Sequence, residues 1–390
     1  MFFVEFGCVR PFFPGKLPAK MPMLVKNRRS AHADEWRGSR RTMTKQRKHP
    51  TLREVAKRAG VGTTTVSRVV NGVEHVEPWT MARVERAIKE LGYLPNHAAR
   101  VLKGYKTRTI GLVVPSIADP FFSSCAEVLQ GIARQHGFLL IVLTTHNERE
   151  MERDAVNTLI QHRVDGFVIA PADAENDELR SLLMRVTVPV VALDRPVAGA
   201  VAPSVVADNF VGAEHATHHL IAHGYKRIAC LTGEIELYTI RERARGYQAA
   251  MAAAGLEAVL HTTICDYASC EKAIAKMLKG PDRVEAIFTL KNSVTVDAFE
   301  ALQRMGVRIP EKVALIGYDD FQLAGTVRPA ITVVQQPIEE LGKTAAELLF
   351  RHLKGSSAPV IPGEARAKQQ VLLKTSLIPR ASCGCRPDPS

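Results

Sequence analysis

The sequence of 390 residues predicts a small all-α head followed by an α/β body of two lobes, each a doubly wound parallel sheet. Three observations lead to this prediction: basic residues are in excess before residue 110, helical periodicity interrupted by glycine turns covers residues 51–91, and short apolar runs alternate with amphipathic stretches from residue 109 onward. Apolar residues make up 46% of the chain and charged residues 24%, so a chain of this length can build two or three packed cores.

An uneven distribution of charge separates the head from the body. Residues 1–109 contain 23 Lys and Arg against 8 Asp and Glu, whereas residues 110–390 contain 29 against 32. This asymmetry favours a polyanion such as DNA as the partner of the head. A disordered basic extension is an alternative source of the excess, because residues 1–48 hold 12 of the basic residues, lack periodicity and are broken by prolines. We expect the functional chain to start at Met43 and the earlier residues to be dispensable.

The sequence contains no signal for a membrane or an export pathway. No run of 18 apolar residues occurs, and Glu5 interrupts the apolar start of the chain. The seven cysteines are odd in number and thinly spread, which indicates reduced thiols in a cytoplasm. The closest pair, Cys383 and Cys385, lacks the spacing of a zinc knuckle and is followed by no histidine. We therefore expect no metal and no cofactor, and we assign residues 383–390 to a tail.

The head has the pattern of three helices. Thr51 and Glu54 form a capping box, and an apolar face then repeats at helical spacing as far as Gly60. A second helix is predicted over Thr63–Val70 and a third over Thr80–Leu91. Two short helices joined by a glycine turn predict a helix-turn-helix, although an ordinary αα-hairpin in a three-helix core has the same pattern. The outer side of the second helix suits a DNA groove because its side chains are small hydroxyls and one guanidinium: Thr63, Thr64, Ser67 and Arg68.

Two segments of the head resemble a known family. They are Thr51-Leu-Arg-Glu-Val-Ala-Lys-Arg-Ala-Gly-Val-Gly-Thr-Thr-Thr-Val-Ser-Arg-Val-Val-Asn-Gly72 and Leu91-Gly-Tyr-Leu-Pro-Asn-His-Ala-Ala-Arg-Val-Leu102. Both resemble the lactose-repressor/galactose-repressor (LacI/GalR) family, and the resemblance extends to about Arg380. It implies base contacts from Thr63, Thr64 and Arg68. It also implies that Thr51 contacts DNA and that Ser67, Asn71 and His75 contact phosphates. Gly62 stands where many relatives have a serine cap, and glycine is also acceptable there.

Residues 96–102 follow Pro95, which cannot continue the third helix. They are too few for a stable isolated helix, so their pattern alone indicates a linker. The resemblance implies instead a hinge helix that orders on DNA and pairs across a dimer. In that role Asn96 would cap the helix and Leu102 would insert between base pairs in the minor groove. We assign residues 49–103 to the DNA-binding domain.

The body alternates strand and helix candidates. The predicted strands are Thr109–Val114, Leu139–Leu143, Gly166–Ile169, Val188–Leu193, Arg227–Leu231, Ala286–Leu290 and Val313–Tyr318. The amphipathic segments between them include Phe122–His136, Arg149–His162, Gly212–Ala222 and Arg243–Ala254. Repeated βα units of this kind form parallel sheets with both faces buried. The lobes, which resemble those of periplasmic sugar-binding proteins, are expected to comprise 109–207 with 338–365 and 208–337 with 366–382.

Polar residues at the strand ends are the candidate ligand site, because open α/β sheets bind ligands at the carboxyl ends of their strands. Carboxylates, guanidinium groups and an aromatic ring together suit a sugar, although each alone is as well explained by a salt bridge. Candidates from position alone are Asp119, Arg195, Tyr318, Asp320, Arg241 and Arg245. The resemblance implies effector contacts from Asp194, Arg243 and Asp319, a ring at Tyr267, and Gln336 at a crossover between lobes. The full expected effector set is Phe121, Phe122, Asp194, Arg243, Tyr267, Lys291, Asp319 and Gln336.

Lys291 departs from the family pattern. Lys291-Asn292 stands where the family usually has Asn-Asp. A lysine in place of a neutral asparagine suggests an anionic effector, either a sugar phosphate or a sugar acid, with Lys291 and Arg195 as its cationic partners. The alternative is that Lys291 points to solvent.

These observations predict a sequence-specific DNA-binding regulator, most simply a repressor of a carbohydrate-use operon. It would bind a pseudo-palindromic operator as a homodimer or tetramer. It would act in the cytoplasm with the nucleoid, without contact with membranes. A sugar-like effector held between its lobes would control DNA binding. A periplasmic sugar-binding protein would share the body, but it would need a secretory signal and no basic head. A sugar-modifying enzyme would need a nucleophile elbow, a cofactor loop or a metal-spaced histidine cluster. None is visible, His218-His219 has the pattern of an exposed polar pair, and we expect no catalytic residues.

Overall fold

The computed structural model describes residues 50–70, 76–93, 106–354 and 370–385. Those residues fall into two compact units, a head and a body, with the boundary between Lys106 and Thr107. Several predictions lie outside the described residues. They concern the extension over 1–48, the hinge helix over 96–102 with Asn96 and Leu102, residues 355–365 of the first lobe, and the side chains of Asn71 and His75.

The head consists of three helices, α1 (Leu52–Ala59), α2 (Thr63–Val70) and α3 (Pro78–Leu91). The predicted capping box begins α1, since the Thr51 hydroxyl accepts the Glu54 N–H at 3.4 Å and the Glu54 carboxylate accepts the Thr51 N–H at 2.6 Å. Gly60 ends α1 at a φ of +64°, a conformation that glycine adopts without strain. The third helix starts two residues earlier than predicted, because Pro78 fits the first turn of a helix.

One small apolar core holds these helices together. Val55, Val66 and Val84, one from each helix, are fully buried, and the ring of Tyr93 closes the cluster behind α3. The Arg83 guanidinium donates to the Ala59 carbonyl at 2.5 Å and so satisfies one of the free carbonyls at the end of α1. This packing leaves the opposite side of α2 free of core contacts.

The first lobe is a six-stranded parallel sheet in the order β11-β5-β4-β3-β1-β2, with helices on both faces. Its strands are β1 (Thr109–Val114), β2 (Leu139–Thr144), β3 (Gly166–Ile169), β4 (Val190–Leu193), β5 (Ser204–Ala207) and β11 (Gln370–Leu373). Its helices are α4 (Pro120–Gln135), α5 (Arg149–Gln161), α6 (Asp177–Arg185) and α11 (Ile338–Leu353). Helices α4 and α11 cover one face of the sheet, and α5 and α6 cover the other.

The second lobe repeats this plan in the order β12-β10-β9-β8-β6-β7. Its strands are β6 (Ile228–Leu231), β7 (Val259–His261), β8 (Ala286–Thr289), β9 (Ala314–Tyr318), β10 (Thr332–Gln335) and β12 (Ser376–Ile378). Its helices are α7 (Asn209–Ala222), α8 (Tyr238–Ala253), α9 (Tyr267–Met277) and α10 (Asn292–Arg304). The doubly wound architecture predicted from the βα alternation is therefore confirmed in both lobes, with one exception: β12 runs antiparallel to β10.

The structure corrects two assignments at the end of the chain. The expectation that 366–382 belong wholly to the second lobe is wrong, because β11 pairs with β5 of the first lobe and only β12 joins the second sheet. Short apolar strands carry no mark of the sheet they will join, so the sequence could not place this crossover. The tail assigned from residue 383 is also wrong for Cys383, which is fully buried at the end of a short 3₁₀ turn, Ala381–Cys383.

Helix starts in the body also differ from the predicted ones. Helix α4 begins at Pro120 because the Asp119 carboxylate accepts the Phe121 N–H at 3.0 Å, and α7 begins at Asn209 because Asp208 caps it in the same way. Capping residues of this kind precede the apolar periodicity, so a reading of periodicity alone starts the helix too late. Among the described residues, no helix is both long enough and apolar enough to cross a membrane.

Candidate effector site and nucleic-acid interface

The two lobes place an aspartate at the same structural position. Asp194 follows β4 and Asp319 follows β9, each directly after the last residue of its strand. Both have left-handed backbones, with φ values of +68° and +70°, and each donates its N–H to the neighbouring strand, to Val205 O at 2.9 Å and to Val334 O at 2.8 Å. A non-glycine residue with positive φ is uncommon, and such residues often mark functional sites.

In the first lobe, Asp194 pairs with its own sequence neighbour. The Arg195 Nε lies 3.2 Å from Asp194 Oδ2, and both side chains are nearly fully buried, at 5% and 6% exposure. The Arg195 guanidinium also donates to Asn147 Oδ1 at 2.8 Å and to the Pro171 carbonyl at 2.9 Å. Burial raises the pKa of Asp194, while the charges of Arg195 and Arg243 oppose that rise.

In the second lobe, Arg243 is the centre of a buried polar network. Its Nε donates to Asn209 Oδ1 at 2.8 Å, and its Nη1 donates to the Leu290 carbonyl at 2.8 Å and lies 3.4 Å from Asp319 Oδ2. The guanidinium carbon is 3.7 Å from the centre of the Tyr318 ring, a short cation–π distance. Asn209 begins α7, so this network joins α7, α8 and the ends of β8 and β9.

Gln336 completes the network from the crossover between lobes. Its Nε2 donates to Asp319 Oδ1 at 2.6 Å, and its own exposure is 5%. Its Oε1 is buried and has no hydrogen-bond partner among the residues that the structure describes. A buried acceptor left without a donor is costly, so this oxygen is well placed to accept from a bound ligand.

The residues of the two lobes lie within electrostatic reach of one another. Burial raises the pKa of Asp119, the charge of Asp319 adds to that effect, and the charges of Lys291 and Arg243 oppose it. Asp119 belongs to the first lobe and the other three to the second. Asp119 and Asp194 of the first lobe and Asp319 of the second therefore lie near enough for their charges to act on one another.

Lys291 does not point freely into solvent. It precedes α10, and its ammonium is paired with the Glu234 carboxylate, from the loop after β6. The exposed fraction of the Lys291 side chain is 31%. Glu234 was not anticipated from the sequence, since its separation of 57 positions from Lys291 leaves no local signal.

Three further predicted residues make apolar or surface contacts that the sequence did not specify. Phe121 and Phe122 pack edge to face, at 4.9 Å between ring centroids, inside the first lobe's core, with exposures of only 6% and 4%. Tyr267 donates its hydroxyl to Glu271 at 3.0 Å, and the Arg304 guanidinium lies 5.1 Å from its ring centre. Arg304 is the last residue of α10, about 18 Å along that helix from its start beside Lys291. The contacts of Tyr267 are thus with the far end of α10, and the prediction that its ring lines the site is not supported.

The remaining positional candidates make salt bridges. Asp320 pairs with Arg380 inside the second lobe at 2.8 Å, and Arg245 pairs with Glu242 at 2.7 Å on the same helix. Arg241 instead reaches Glu175 of the first lobe at 2.8 Å, so it forms an interlobe bridge. Asn209 and Asn147 were missed by sequence reasoning. Asn209 could have been found from its place directly after the predicted lobe junction at Ala207–Asp208.

The head presents a separate candidate surface. Thr63, Thr64 and Arg68 are exposed on the side of α2 away from Val66, and Ser67 is half-buried between them. Thr51 is exposed at the start of α1. A helix whose outer side has only hydroxyls and one guanidinium can approach base edges closely.

Comparison with known proteins identifies the family. Residues 51–96 match the family model described as bacterial regulatory proteins, lacI family, and residues 107–375 match the model described as periplasmic binding proteins and sugar binding domain of LacI family. The chain belongs to the LacI family. It is accordingly a transcriptional regulator with a DNA-binding head and an effector-binding body, as the head motifs predicted.

Relatives of this LacI-family protein match it over 78% of its length. It is 34% identical over 311 residues to the HTH-type transcriptional repressor PurR of Aliivibrio fischeri (strain MJ11), covering 78% of this chain and 92% of the relative. It is 33% identical over 309 residues to the ribose operon repressor of Escherichia coli (strain K12), covering 78% of this chain and 93% of the relative.

Solved structures of a DNA-bound regulator and of a sugar-bound regulator are both similar to this chain. The Lac repressor dimer bound to operator and the anti-inducer ONPF matches with a TM-score of 0.75 and 26% identity, covering 86% of this chain and 99% of that one. A complex of the transcriptional regulator CelR with cellobiose matches with a TM-score of 0.62 and 32% identity, covering 86% and 100%.

Proposed function

We propose that this protein is a repressor that reads its operator with Thr63, Thr64 and Arg68 and is controlled by a neutral, hydroxyl-rich small molecule bound between its lobes. The observation that carries the proposal is a pair of polar clusters at the ends of β4 and β9, one in each lobe, whose charged groups act on one another electrostatically. Relatives named for ribose and a structure named for cellobiose support a sugar-like ligand.

On DNA, each head would place α2 in the major groove. Arg68 can bond a guanine edge with two hydrogen bonds, and Thr63 and Thr64 can discriminate bases through hydroxyl and methyl contacts. Two heads on a pseudo-palindromic operator require a homodimer, with a tetramer as a further assembly of two dimers. The Lac repressor that this chain resembles binds its operator as a dimer, which supports this assembly. The protein would act in the cytoplasm, with the nucleoid, and by binding alone rather than by catalysis.

In the body, charge balance favours a neutral effector over an anionic one. Both cations that would attract an anion already have acidic partners, Arg195 with Asp194 and Lys291 with Glu234. An anion would have to displace one of those carboxylates or add a negative charge beside Asp119 and Asp319. Neutral hydroxyls, by contrast, can donate to Asp319 and to the unpartnered Gln336 Oε1 without any charge being displaced.

The coupling between sites follows from binding across two lobes. A ligand that contacts both lobes favours one relative arrangement of them, and any arrangement that also changes the spacing of two heads in a dimer changes operator affinity. A free energy of coupling of about 1–3 kcal/mol is sufficient for regulation. Linkage allows the ligand to release or to recruit DNA, so the sign is left to measurement.

Fluorescence anisotropy with the DNA upstream of the protein's own gene tests the proposal. We expect a salt-sensitive specific complex, and a neutral sugar from a panel that includes ribose and cellobiose should change its affinity by at least about fivefold. Absence of a specific complex at low salt would overturn the repressor assignment.

Calorimetry with neutral sugars and their phosphate esters distinguishes the two effector classes. For a neutral effector, Lys291→Ala should leave the affinity within about twofold, because Lys291 is held by Glu234. Glu234→Gln serves as the matched control, because it frees the lysine without removing it. Binding of a phosphate ester that is lost in Lys291→Ala and strengthened in Glu234→Gln would establish the anionic alternative.

A further inference from the structure

Two histidines and two cysteines meet at one point of the second lobe, away from the effector network. His219 lies in the last turn of α7 and His223 caps the same helix, so their spacing of four positions puts both rings on one side of it. Cys383 and Cys385 come from the end of the chain, in and just after the 3₁₀ turn. The four donor atoms all lie within 4.8 Å of one another.

The individual distances match the edges of a metal-centred tetrahedron. Cys383 Sγ lies 3.2 Å from His219 Nε2, and Cys385 Sγ lies 3.2 Å from His223 Nε2 and 3.5 Å from His219 Nε2. In a tetrahedral zinc site, bond lengths of about 2.3 Å to sulfur and about 2.0 Å to nitrogen separate neighbouring donor atoms by about 3.3–3.8 Å. The donors are thus already close to the separations that a bound ion would require.

The surroundings of the cluster hold the donors in place. The Thr332 hydroxyl donates to Cys383 Sγ at 3.1 Å, from the strand beside the 3₁₀ turn. Gly384 has a φ of +98°, and a Cβ there would lie 3.0 Å from the Tyr225 hydroxyl and 3.4 Å from His223 Cδ2. Only glycine fits this turn without strain, and the turn is what directs two thiols separated by one residue toward the same point. Cys383 is fully buried, whereas His223 is exposed, so an ion could enter from solvent.

No local pattern in the sequence predicts this arrangement. A search for histidines after the cysteine pair fails, because the histidines precede it by about 160 positions. The expectation of an exposed polar pair holds for His218 alone, since His219 is half-buried against Cys383.

We propose that His219, His223, Cys383 and Cys385 form a binding site for a thiophilic divalent cation, Zn²⁺ first, which cross-links the end of the chain to α7. Two thiolates and two imidazoles are a ligand set that suits Zn²⁺ and disfavours Mg²⁺ and Ca²⁺. Coordination releases the two thiol protons to solvent and needs no oxidant. With four protein ligands the site has no open position for substrate, so its role is to stabilise the lobe.

Metal binding by the purified full chain tests this proposal. Protein stripped with a chelator and kept in a non-thiol reductant would be titrated with Co²⁺ and Zn²⁺. We expect one ion per chain, and with Co²⁺ we expect the visible bands of tetrahedral coordination together with a thiolate charge-transfer band. Zn²⁺ should raise Tm by about 5 °C, and Mg²⁺ should not.

Variants at the exposed and half-buried ligands make the test specific. Cys385→Ser and His223→Ala should each weaken Zn²⁺ binding at least about tenfold, because each removes one of four ligands. His218→Ala, one position from His219 but exposed, is the matched control and should bind as the wild type does. The proposal is overturned if the wild type binds no stoichiometric ion, if the Co²⁺ complex lacks the thiolate band, or if folded Cys385→Ser retains wild-type affinity.

Discussion

The two lobes place an aspartate at the same strand end with the same left-handed backbone, yet they use it differently. Asp194 is 6% exposed and pairs with the arginine next to it in sequence, so the partner is built into the same turn. Asp319 is 16% exposed and is held by Arg243 from a helix and Gln336 from a crossover. A repeated backbone therefore supports two roles: the carboxylate of the first lobe mainly holds its own turn, and that of the second remains available to a ligand.

The largest expected effect is the loss of Arg243. Arg243→Met removes a buried cation and takes the Arg243 donor away from Asn209 Oδ1, the Leu290 carbonyl and Asp319 Oδ2. We expect a loss of about 3–5 kcal/mol in the free energy of unfolding, measured by denaturant titration. Arg245→Met is the matched control, since Arg245 lies on the same helix with 60% of its side chain exposed, and it should change stability by less than about 1 kcal/mol. Equal effects would contradict a central role for Arg243.

Neutralising each aspartate in turn tests the comparison directly. Asp194→Asn leaves the buried Arg195 without its carboxylate, so we expect a loss of about 2–3 kcal/mol in unfolding free energy. Asp319→Asn also removes the carboxylate of a buried arginine, but the pair is longer, at 3.4 Å, and Asp319 is more exposed, and the variant keeps an acceptor for Gln336, so we expect a smaller loss of about 1 kcal/mol. Ligand binding measured by calorimetry should show the reverse order, with Asp319→Asn causing the greater loss of affinity. The same ranking in both measurements would break the distinction between the lobes.

A buried acid of the first lobe gives a pH dependence. Glu152 is fully buried, and its carboxylate accepts the Ala172 N–H at 2.6 Å. Burial raises the pKa of Glu152 from 4.5 to about 7, against the opposing hydrogen bonds from Ala172 and Asn176. A raised carboxyl pKa means that the folded state holds the proton more tightly than the unfolded state does. Its stabilising contribution is therefore present in full below pH 4.5 and falls as the pH rises to about 7.

Glu152→Gln, which keeps the acceptor without the charge, should remove that dependence. Between pH 5 and pH 8 we expect the variant to lose about 2 kcal/mol less unfolding free energy than the wild type, measured by denaturant titration at each pH. Parallel stability profiles for the two proteins would show that Glu152 does not titrate in this range.

The smallest expected effect is at the interlobe bridge between Arg241 and Glu175. The two side chains are 38% and 73% exposed, so solvent and salt screen their attraction. Arg241→Ala should change unfolding free energy by less than about 0.5 kcal/mol and ligand affinity by less than about threefold. A larger loss of affinity in calorimetry would mean that this bridge, rather than the network around Arg243, sets the relative arrangement of the lobes for ligand binding.

Local signals in the sequence predicted most helices and strands. The contacts that were not predicted join residues that are far apart along the chain. The three head helices follow from Thr51, Gly60 and the valines of their shared core, and most body strands follow from short apolar runs. Asp194, Arg243 and Asp319 were predicted from their positions and the family resemblance. The pairing of Lys291 with Glu234 and the meeting of His219 with Cys383 could not be predicted, because only the folded chain brings those residues together. Tyr267 was assigned from the family resemblance alone, which does not decide which helix its ring packs against, and its contacts are with Glu271 and Arg304.

Selection of random DNA by the purified full chain, with and without a sugar that shifts its Tm, tests the central claim most directly. We expect enrichment of one pseudo-palindromic sequence and a change of at least about fivefold in its affinity on adding the sugar. Arg68→Ala should lose the preference for that sequence, whereas Arg86→Ala, which removes the same charge from an exposed position on α3, should keep it. If no sequence is enriched, or if Arg68→Ala keeps the wild-type sequence preference, the assignment of α2 as the helix that reads the operator is contradicted.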